Sequence, residues 1–324
     1  MTKSSLVPFT AQGRARIRLP GPKGFRHSLP TFDPMKRPFL TTLTFFALVS
    51  GSPFRPCALS ADEASLKEAL VLHASFDRGF DADYSRGDSA CYLKTSSGLV
   101  PCVENEELKL VPGGGRHGGA IRFTKKGATR PTFRGEGVLG YNATDWSATV
   151  SLWLKLTPDE DLEPGYCDPI QIVGDDTKKG FIFLEWSKDH SPRYFRYAIR
   201  PRIELWDPEG LGWEVVPEAK RPMVQLKSAP FSRDRWTHAV FVLDRINAGR
   251  EVNAGSLYLD GNKQGEIKGF DLAFGWDPKA VMLVLGAAYV GQIDDLAVFN
   301  RALGDDEVKS LHGLESGVGG LLRP

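Results

Sequence analysis

The residues best equipped for chemistry lie between Tyr194 and Trp213. Read as a strand, residues 194–205 put Phe195, Tyr197, Ile199, Ile203 and Leu205 on one face and Tyr194, Arg196, Ala198, Arg200, Arg202 and Glu204 on the other. The second face is rich in arginine, whose planar fork suits bidentate contact with a carboxylate or sulfate, so an acidic or sulfated glycan is the expected ligand class. A turn-rich stretch follows and carries Trp206 and Trp213. Exposed rings on a loop offer sugars an apolar stacking surface. Tyr194, Arg196, Arg200, Arg202, Trp206 and Trp213 are therefore the candidate ligand-binding residues. The competing reading makes the arginines the solvated face of an amphipathic strand and the tryptophans the cover of a sheet edge.

Other chemistries find less support. No G-x-S-x-G marks a serine nucleophile, and no C-x-x-C marks a zinc or thioredoxin-like site. Gly115-Arg116-His117-Gly118-Gly119 is a turn rather than a phosphate loop, because no Lys-Ser/Thr follows it. Residues 62–324 hold 32 Lys/Arg against 39 acids, net −7, which disfavours nucleic acid as a partner.

The elements that must position these residues are short strands. Candidates are 69–76, 119–124, 148–156, 169–173, 180–186, 194–205, 212–216, 235–243, 255–260, 281–286 and 290–299, separated by turns such as Pro112-Gly113-Gly114-Gly115 and Asp260-Gly261-Asn262. Many strands without alternating helices argue a β-sandwich. In the last strand Ile293, Asp295, Ala297 and Phe299 should share one face, with Gln292, Asp294, Leu296 and Val298 on the other. Gly304, Asp305, Asp306 and Glu307 then open a short helix, their carboxylates placed where the helix dipole favours them. Trp153, Trp236, Phe241 and Phe299 sit in strands and are expected in the core.

Gly291 to Val308 closely resembles the closing segment of LamG-like jelly-roll domains of the concanavalin A-like lectin/glucanase superfamily. Gly118-Gly119-Ala120-Ile121-Arg122-Phe123, Ala148-Thr149-Val150-Ser151-Leu152-Trp153-Leu154-Lys155, Trp236-Thr237-His238-Ala239-Val240-Phe241 and Leu257-Tyr258-Leu259-Asp260-Gly261 resemble further strands of that family in order, and Ser75-Phe76-Asp77 resembles its opening. The resemblance covers roughly residues 66–313 and implies an all-β fold: a two-sheet antiparallel jelly-roll β-sandwich, concanavalin A-like, with a short C-terminal helix. It also implies structural calcium, with Asp77, Asp83 and Asp294 as the candidate ligands. Glucanases of the superfamily use paired carboxylates, and two on one strand share a face only at a spacing of two or four. The strands here lack that spacing, and a non-catalytic role is expected.

Residues 1–61 hold nine Lys/Arg and one acid, net +8. Within them, Met35-Lys36-Arg37-Pro38 followed by the apolar run Phe39–Val49 reads as a secretory signal, with small residues at Ala58, Ser60 and Ala61 for cleavage. The expected organisation is an extension (1–34) that is disordered or mis-annotated, a signal peptide (35–61), the LamG-like domain (62–313) and a flexible tail (314–324). Of the four cysteines, Cys91 and Cys102 flank a short loop and can close a disulfide in an oxidising compartment, leaving Cys167 over once Cys57 is removed. The expected protein is an exported binding module, secreted, periplasmic or at the cell surface, for a polysaccharide or a cell-surface protein, without a transmembrane segment. A carbohydrate-active enzyme of the same fold and an envelope structural protein are the alternatives.

Overall fold

Runs of β-branched and aromatic residues broken by Gly, Pro and Asp pair across long sequence separations, and two antiparallel sheets result. The structure, a computed structural model, describes residues 60–323; the expected extension and signal segment, apart from Ser60 and Ala61, lie outside these residues. The strands are β1 (Leu70–Ala74), β2 (Tyr84–Ser85), β3 (Tyr92–Thr95), β4 (Gly98–Pro101), β5 (Leu108–Leu110), β6 (Ile121–Phe123), β7 (Pro131–Arg134), β8 (Trp146–Lys155) and β9 (Cys167–Val173). They continue as β10 (Phe181–Trp186), β11 (Phe195–Arg200), β12 (Met223–Leu226), β13 (Thr237–Ile246), β14 (Ala254–Leu259), β15 (Asn262–Lys268), β16 (Met282–Ala287) and β17 (Gly291–Phe299). Helices are α1 (Ala61–Ala69), α2 (Pro158–Asp161), α3 (Ile203–Trp206) and α4 (Asp305–His312). None of the described helices is long and apolar enough to cross a membrane.

One sheet has nine strands, ordered β15-β14-β13-β8-β17-β1-β2 with β6 also on β17 and β5 on β6; the other has eight, ordered β12-β11-β10-β9-β16-β7-β3-β4. The inward side chains of both form one core, from Leu72 and Ala74 through Phe123, Leu154, Ile172, Tyr197 and Phe241 to Leu296 and Val298. The chain is thus an all-β jelly-roll sandwich with a short C-terminal helix, as its sequence leads one to expect. The Asp-Gly signal also works as expected: Asp260 (φ 48°) and Gly261 (φ 76°) form the two-residue turn between β14 and β15, both in the left-handed region that such a turn requires.

The motif Asn300-Arg301-Ala302-Leu303 and the Glu307 that follows it have a physical reason. Arg301 grips Glu307 with two guanidinium nitrogens, at 2.7 Å and 2.5 Å, and also donates to Ser65 Oγ of α1 at 2.7 Å. The hydrogen bonds from Arg301 hold the Glu307 carboxyl down to about 2. This knot packs α1 and α4 together over the outer face of the nine-stranded sheet, where Leu66, Val240, Phe299, Val308, Leu311, Val318 and Leu321 form a second cluster. The segment expected to be a flexible tail is therefore packed: Val318 and Leu321, in the 3₁₀ turn Val318–Leu322, are buried because the sheet's outer face is apolar there.

Four local expectations fail. The strand expected at 194–205 ends at Arg200, and Ile203 and Leu205 enter α3 instead of continuing the core face. Residues 212–216 are turns. Trp236 lies just outside β13 and is only half-buried beside Lys155, whereas Trp153 is buried as expected. In β17, the pairing with β8 slips between Asp294 and Ala297, and Asp295 takes a left-handed φ of 49°. Ile293, Leu296 and Val298 face the core while Ala297 and Phe299 face the outer cluster, so one extra residue has been inserted into the alternation.

Candidate functional site

The arginine face is occupied by the protein itself. Arg196 is 1% exposed and donates to Glu185 Oε1 at 3.1 Å, Glu214 Oε1 at 2.8 Å and Gln225 Oε1 at 2.7 Å. Arg200 lies over the rings of Trp206 (4.5 Å), Trp213 (5.2 Å) and Phe181 (5.4 Å). The two tryptophans meet edge-on at 5.2 Å and are buried with Phe183, Ala198 and Val216. Segment 203–221 thus folds back on the eight-stranded sheet, and the expected exposed rings are its anchors, because indoles beside an apolar sheet face are buried rather than left in water. Tyr194 stacks on His190 at 3.8 Å, and Arg202 pairs with Glu204 at 3.3 Å. Under this cover, burial pushes the carboxyls of Asp168 and Glu185 above the usual range, the charge of Asp168 adding to the effect on Glu185.

The three aspartates expected as calcium ligands lie in β17 and in the loop after β1, and one oxygen of each accepts from a backbone N–H group, while Asp294 Oδ1 is buried without a partner among the described residues. Asp294 Oδ2 accepts from Arg116 N at 2.5 Å and His117 N at 2.9 Å, and Asp77 Oδ1 accepts from Gly119 N. Asp83 Oδ2 accepts from Ser75 N at 2.8 Å. Asp77 and Asp294 therefore hold one turn, Gly115–Gly119, from two sides. The turn needs its glycines: Gly118 has φ 101°, and a Cβ there would sit 2.2 Å from Asp77 Oδ1. Burial pushes the Asp294 carboxyl up to about 7. Among the described residues no group of three or more His, Cys, Asp or Glu converges as a metal site would. As they stand, these residues do not fit a calcium ion.

The same turn forms a wall of a cleft of about 670 Å³. Its floor is a buried pair, His73 Nε2 and Asp295 Oδ1 at 2.6 Å. Two features build that pair. β1 offers His73 from an otherwise apolar Leu-Val-Leu-His-Ala run, and the bulge in β17 turns Asp295 outward to meet it. Asp295 Oδ2 also accepts from Val318 N at 3.1 Å, which fixes the C-terminal turn against the floor. Burial opposes the charge on Asp295, but the bond and positive field of His73 outweigh it and keep the carboxyl below its ordinary value. His73 Nδ1 is buried without a partner among the described residues.

The walls are polar. Ser75, Asp77, Arg78 and Asp83 come from the end of β1 and the loop after it; Arg116 and His117 come from the glycine turn; Glu315, Ser316 and Arg323 come from the C-terminal segment. Arg116 is held over the Trp153 ring at 5.0 Å, and Trp153 in turn stacks on His238 (4.7 Å) and His312 (5.4 Å). Arg78, its side chain 86% exposed, meets only Asp83 at 3.3 Å, and neither Arg116 nor Arg323 forms an ion pair among the described residues. Of the residues picked out from the sequence, the cleft gathers Asp77 and Asp83; Asp294 supports its wall from behind, and the arginine–tryptophan group is elsewhere. His73, Asp295, Arg116 and Arg323 were missed. The lone histidine inside an apolar strand and the doubled aspartate opposite it were the available signals.

Several solved structures are similar in fold. Domain 4 of AbnA, a GH43 extracellular arabinanase from Geobacillus stearothermophilus solved with arabinotriose, is 17% identical with a TM-score of 0.47, covering 74% of this chain and 97% of that one. The botulinum neurotoxin serotype D ligand-binding domain solved with N-acetylneuraminic acid is 11% identical with a TM-score of 0.45, covering 79% and 53%. The binding domain of botulinum neurotoxin DC, solved with rat synaptotagmin II, is 12% identical with a TM-score of 0.45, covering 76% and 52%. This chain spans about half the length of the toxin chains. Comparison with curated proteins gave no match. The laminin G family model matches residues 140–309, from the approach to β8 through most of α4, and with more than half of its length so matched the chain belongs to the concanavalin A-like lectin/glucanases superfamily.

Proposed function

We propose that this chain is an exported, non-catalytic binding module that receives an acidic glycan in the cleft above His73 and Asp295. The observation that carries the reading is the contrast between its arginines. Arg196 is consumed by carboxylates within the sandwich and Arg200 is covered by Trp206 and Trp213 away from the cleft, whereas Arg116, stacked on Trp153, and Arg323 line the cleft with no carboxylate partner among the described residues. Arg78 is tied only by an exposed ion pair, worth about 0–1 kcal/mol, and can exchange Asp83 for a ligand. Guanidinium groups bind carboxylate or sulfate in a bidentate manner, and the adjacent serines and carboxylates suit sugar hydroxyls, which both donate and accept. The cleft volume falls within the roughly 300–1,000 Å³ common for small-ligand sites. Export is supported by the signal-like segment Met35–Val49.

The test is calorimetric titration and thermal melting of the full chain with neutral, uronate-containing and sulfated polysaccharides. The acidic polymers should bind, more weakly at high salt, and raise the midpoint by mass action, by about 2.7 kcal/mol at a hundredfold excess over the dissociation constant. The double variant Arg116→Ala/Arg323→Ala should keep its melting point without ligand and lose at least tenfold in affinity. Equal binding of neutral polymers, or full affinity in the double variant, overturns the reading.

A further inference from the structure

Two cysteines lie opposite each other on neighbouring strands. In the β3–β4 hairpin Tyr92 pairs with Pro101 and Leu93 with Val100, and the register continued by one residue sets Cys91 against Cys102. The pairing is made there too: Cys102 N donates to Cys91 O at 2.8 Å. Directly opposed residues of an antiparallel pair have Cα atoms about 4.5 or 5.5 Å apart, and both spacings fall within the range of about 4.4–6.8 Å that a disulfide spans. Both side chains also point the same way. Cys91 is buried in the core between the sheets and Cys102 packs against that core half-exposed. The neighbouring Cys102 thiol is the largest influence on the Cys91 thiol and, together with burial, pushes it up. Cys167, the remaining described cysteine, is engaged elsewhere, with Arg193 at 3.6 Å.

We propose that Cys91 and Cys102 form a disulfide that fastens the loop between β1 and β3. The oxidant is a small disulfide of the glutathione type. The half-exposed Cys102, as thiolate, attacks one of its sulfurs and releases one glutathione thiolate. Cys91 then attacks the mixed disulfide, forming the Cys91–Cys102 bond and releasing the second glutathione. The two cysteine thiols lose two electrons and two protons, and the small disulfide gains them as two thiols. The bond matters for the cleft because Cys91 closes the loop that supplies part of it. Asp81 Oδ1 accepts from Cys91 N at 2.7 Å, Ala82 N donates to Ser89 O at 2.8 Å, and Asp77, Arg78 and Asp83 stand on the same loop. The covalent bond stands or falls independently of what the cleft binds.

The experiment equilibrates the full chain with oxidised glutathione, blocks free thiols under denaturing conditions and maps the peptides by mass spectrometry before and after reduction. A peptide pair linking Cys91 to Cys102, two hydrogens lighter than the reduced pair, is expected, with Cys167 labelled in full. Oxidation should raise the melting midpoint by several degrees. The variant Cys102→Ser changes the half-exposed member, so it should remain folded and melt alike with and without oxidant. Full labelling of Cys91 and Cys102 in the oxidised sample, a link from either to another cysteine, or an oxidation-dependent shift that survives in Cys102→Ser overturns the proposal.

Discussion

Replacing Asp295 separates its charge from its backbone role. Asp295→Asn keeps a side chain that tolerates the left-handed φ of 49° and an oxygen able to accept from Val318 N, but removes the negative charge facing His73 at 2.6 Å. A hydrogen bond involving a charged group contributes about 1.5–3 kcal/mol, so the variant should lose about that much at neutral pH. Asp295→Ala loses the same bond, leaves Val318 N without its acceptor, and places an alanine in a conformation that costs about 1–2 kcal/mol more. It should therefore be the less stable of the two by at least about 1 kcal/mol. Urea unfolding at constant m-value, or melting, in which 1 kcal/mol corresponds to about 2–4 °C for a domain of this size, resolves the difference. The pH dependence has a definite sign. Because the folded-state value of Asp295 lies below its ordinary 3.8, its contribution is present above that pH and is lost as pH falls through the folded value. The gap between wild type and Asp295→Asn should narrow as pH falls below about 4. Equal stability of wild type and Asp295→Asn at pH 7, or of the Asn and Ala variants, would falsify the account of the floor.

Other perturbations test the remaining assignments. Arg196→Ala leaves Glu185 buried without its partner and should cost about 3–5 kcal/mol, with faster proteolysis inside segment 203–221; an intact, protease-resistant segment would mean that the network does not hold it. Trp153→Ala should cost about 3–5 kcal/mol, whereas the half-buried Trp236→Ala should cost clearly less, and near-equal losses in denaturant melts would contradict their different burial. EDTA and excess calcium should give the same melting midpoint, since Asp77, Asp83 and Asp294 already accept from backbone N–H groups; a calcium-dependent rise abolished by Asp294→Asn would show that the turn rearranges around an ion.

The sequence by itself determined the architecture. Strand-length runs broken by turn residues, the Asp-Gly turn at 260–261, and the acidic opening of α4 at Gly304–Glu307 are local signals, and each is realised locally. A period-2 pattern also told the core side of β11 correctly, since Phe195, Tyr197 and Ile199 all face the other sheet. Function was less legible, because exposure is decided between elements. The arginines of β11 looked available until segment 203–221 folded over them, and no pattern within residues 194–205 encodes that cover. Asp294 and Asp295 looked like residues of opposite faces until a bulge inserted one residue and aimed Asp295 at His73, some 220 positions earlier in the chain. The cleft draws on the first strand, a glycine turn, the last strand and the C-terminal segment. Only the closing of the sandwich brings these together, because burial of its apolar faces fixes which polar side chains are left at the rim.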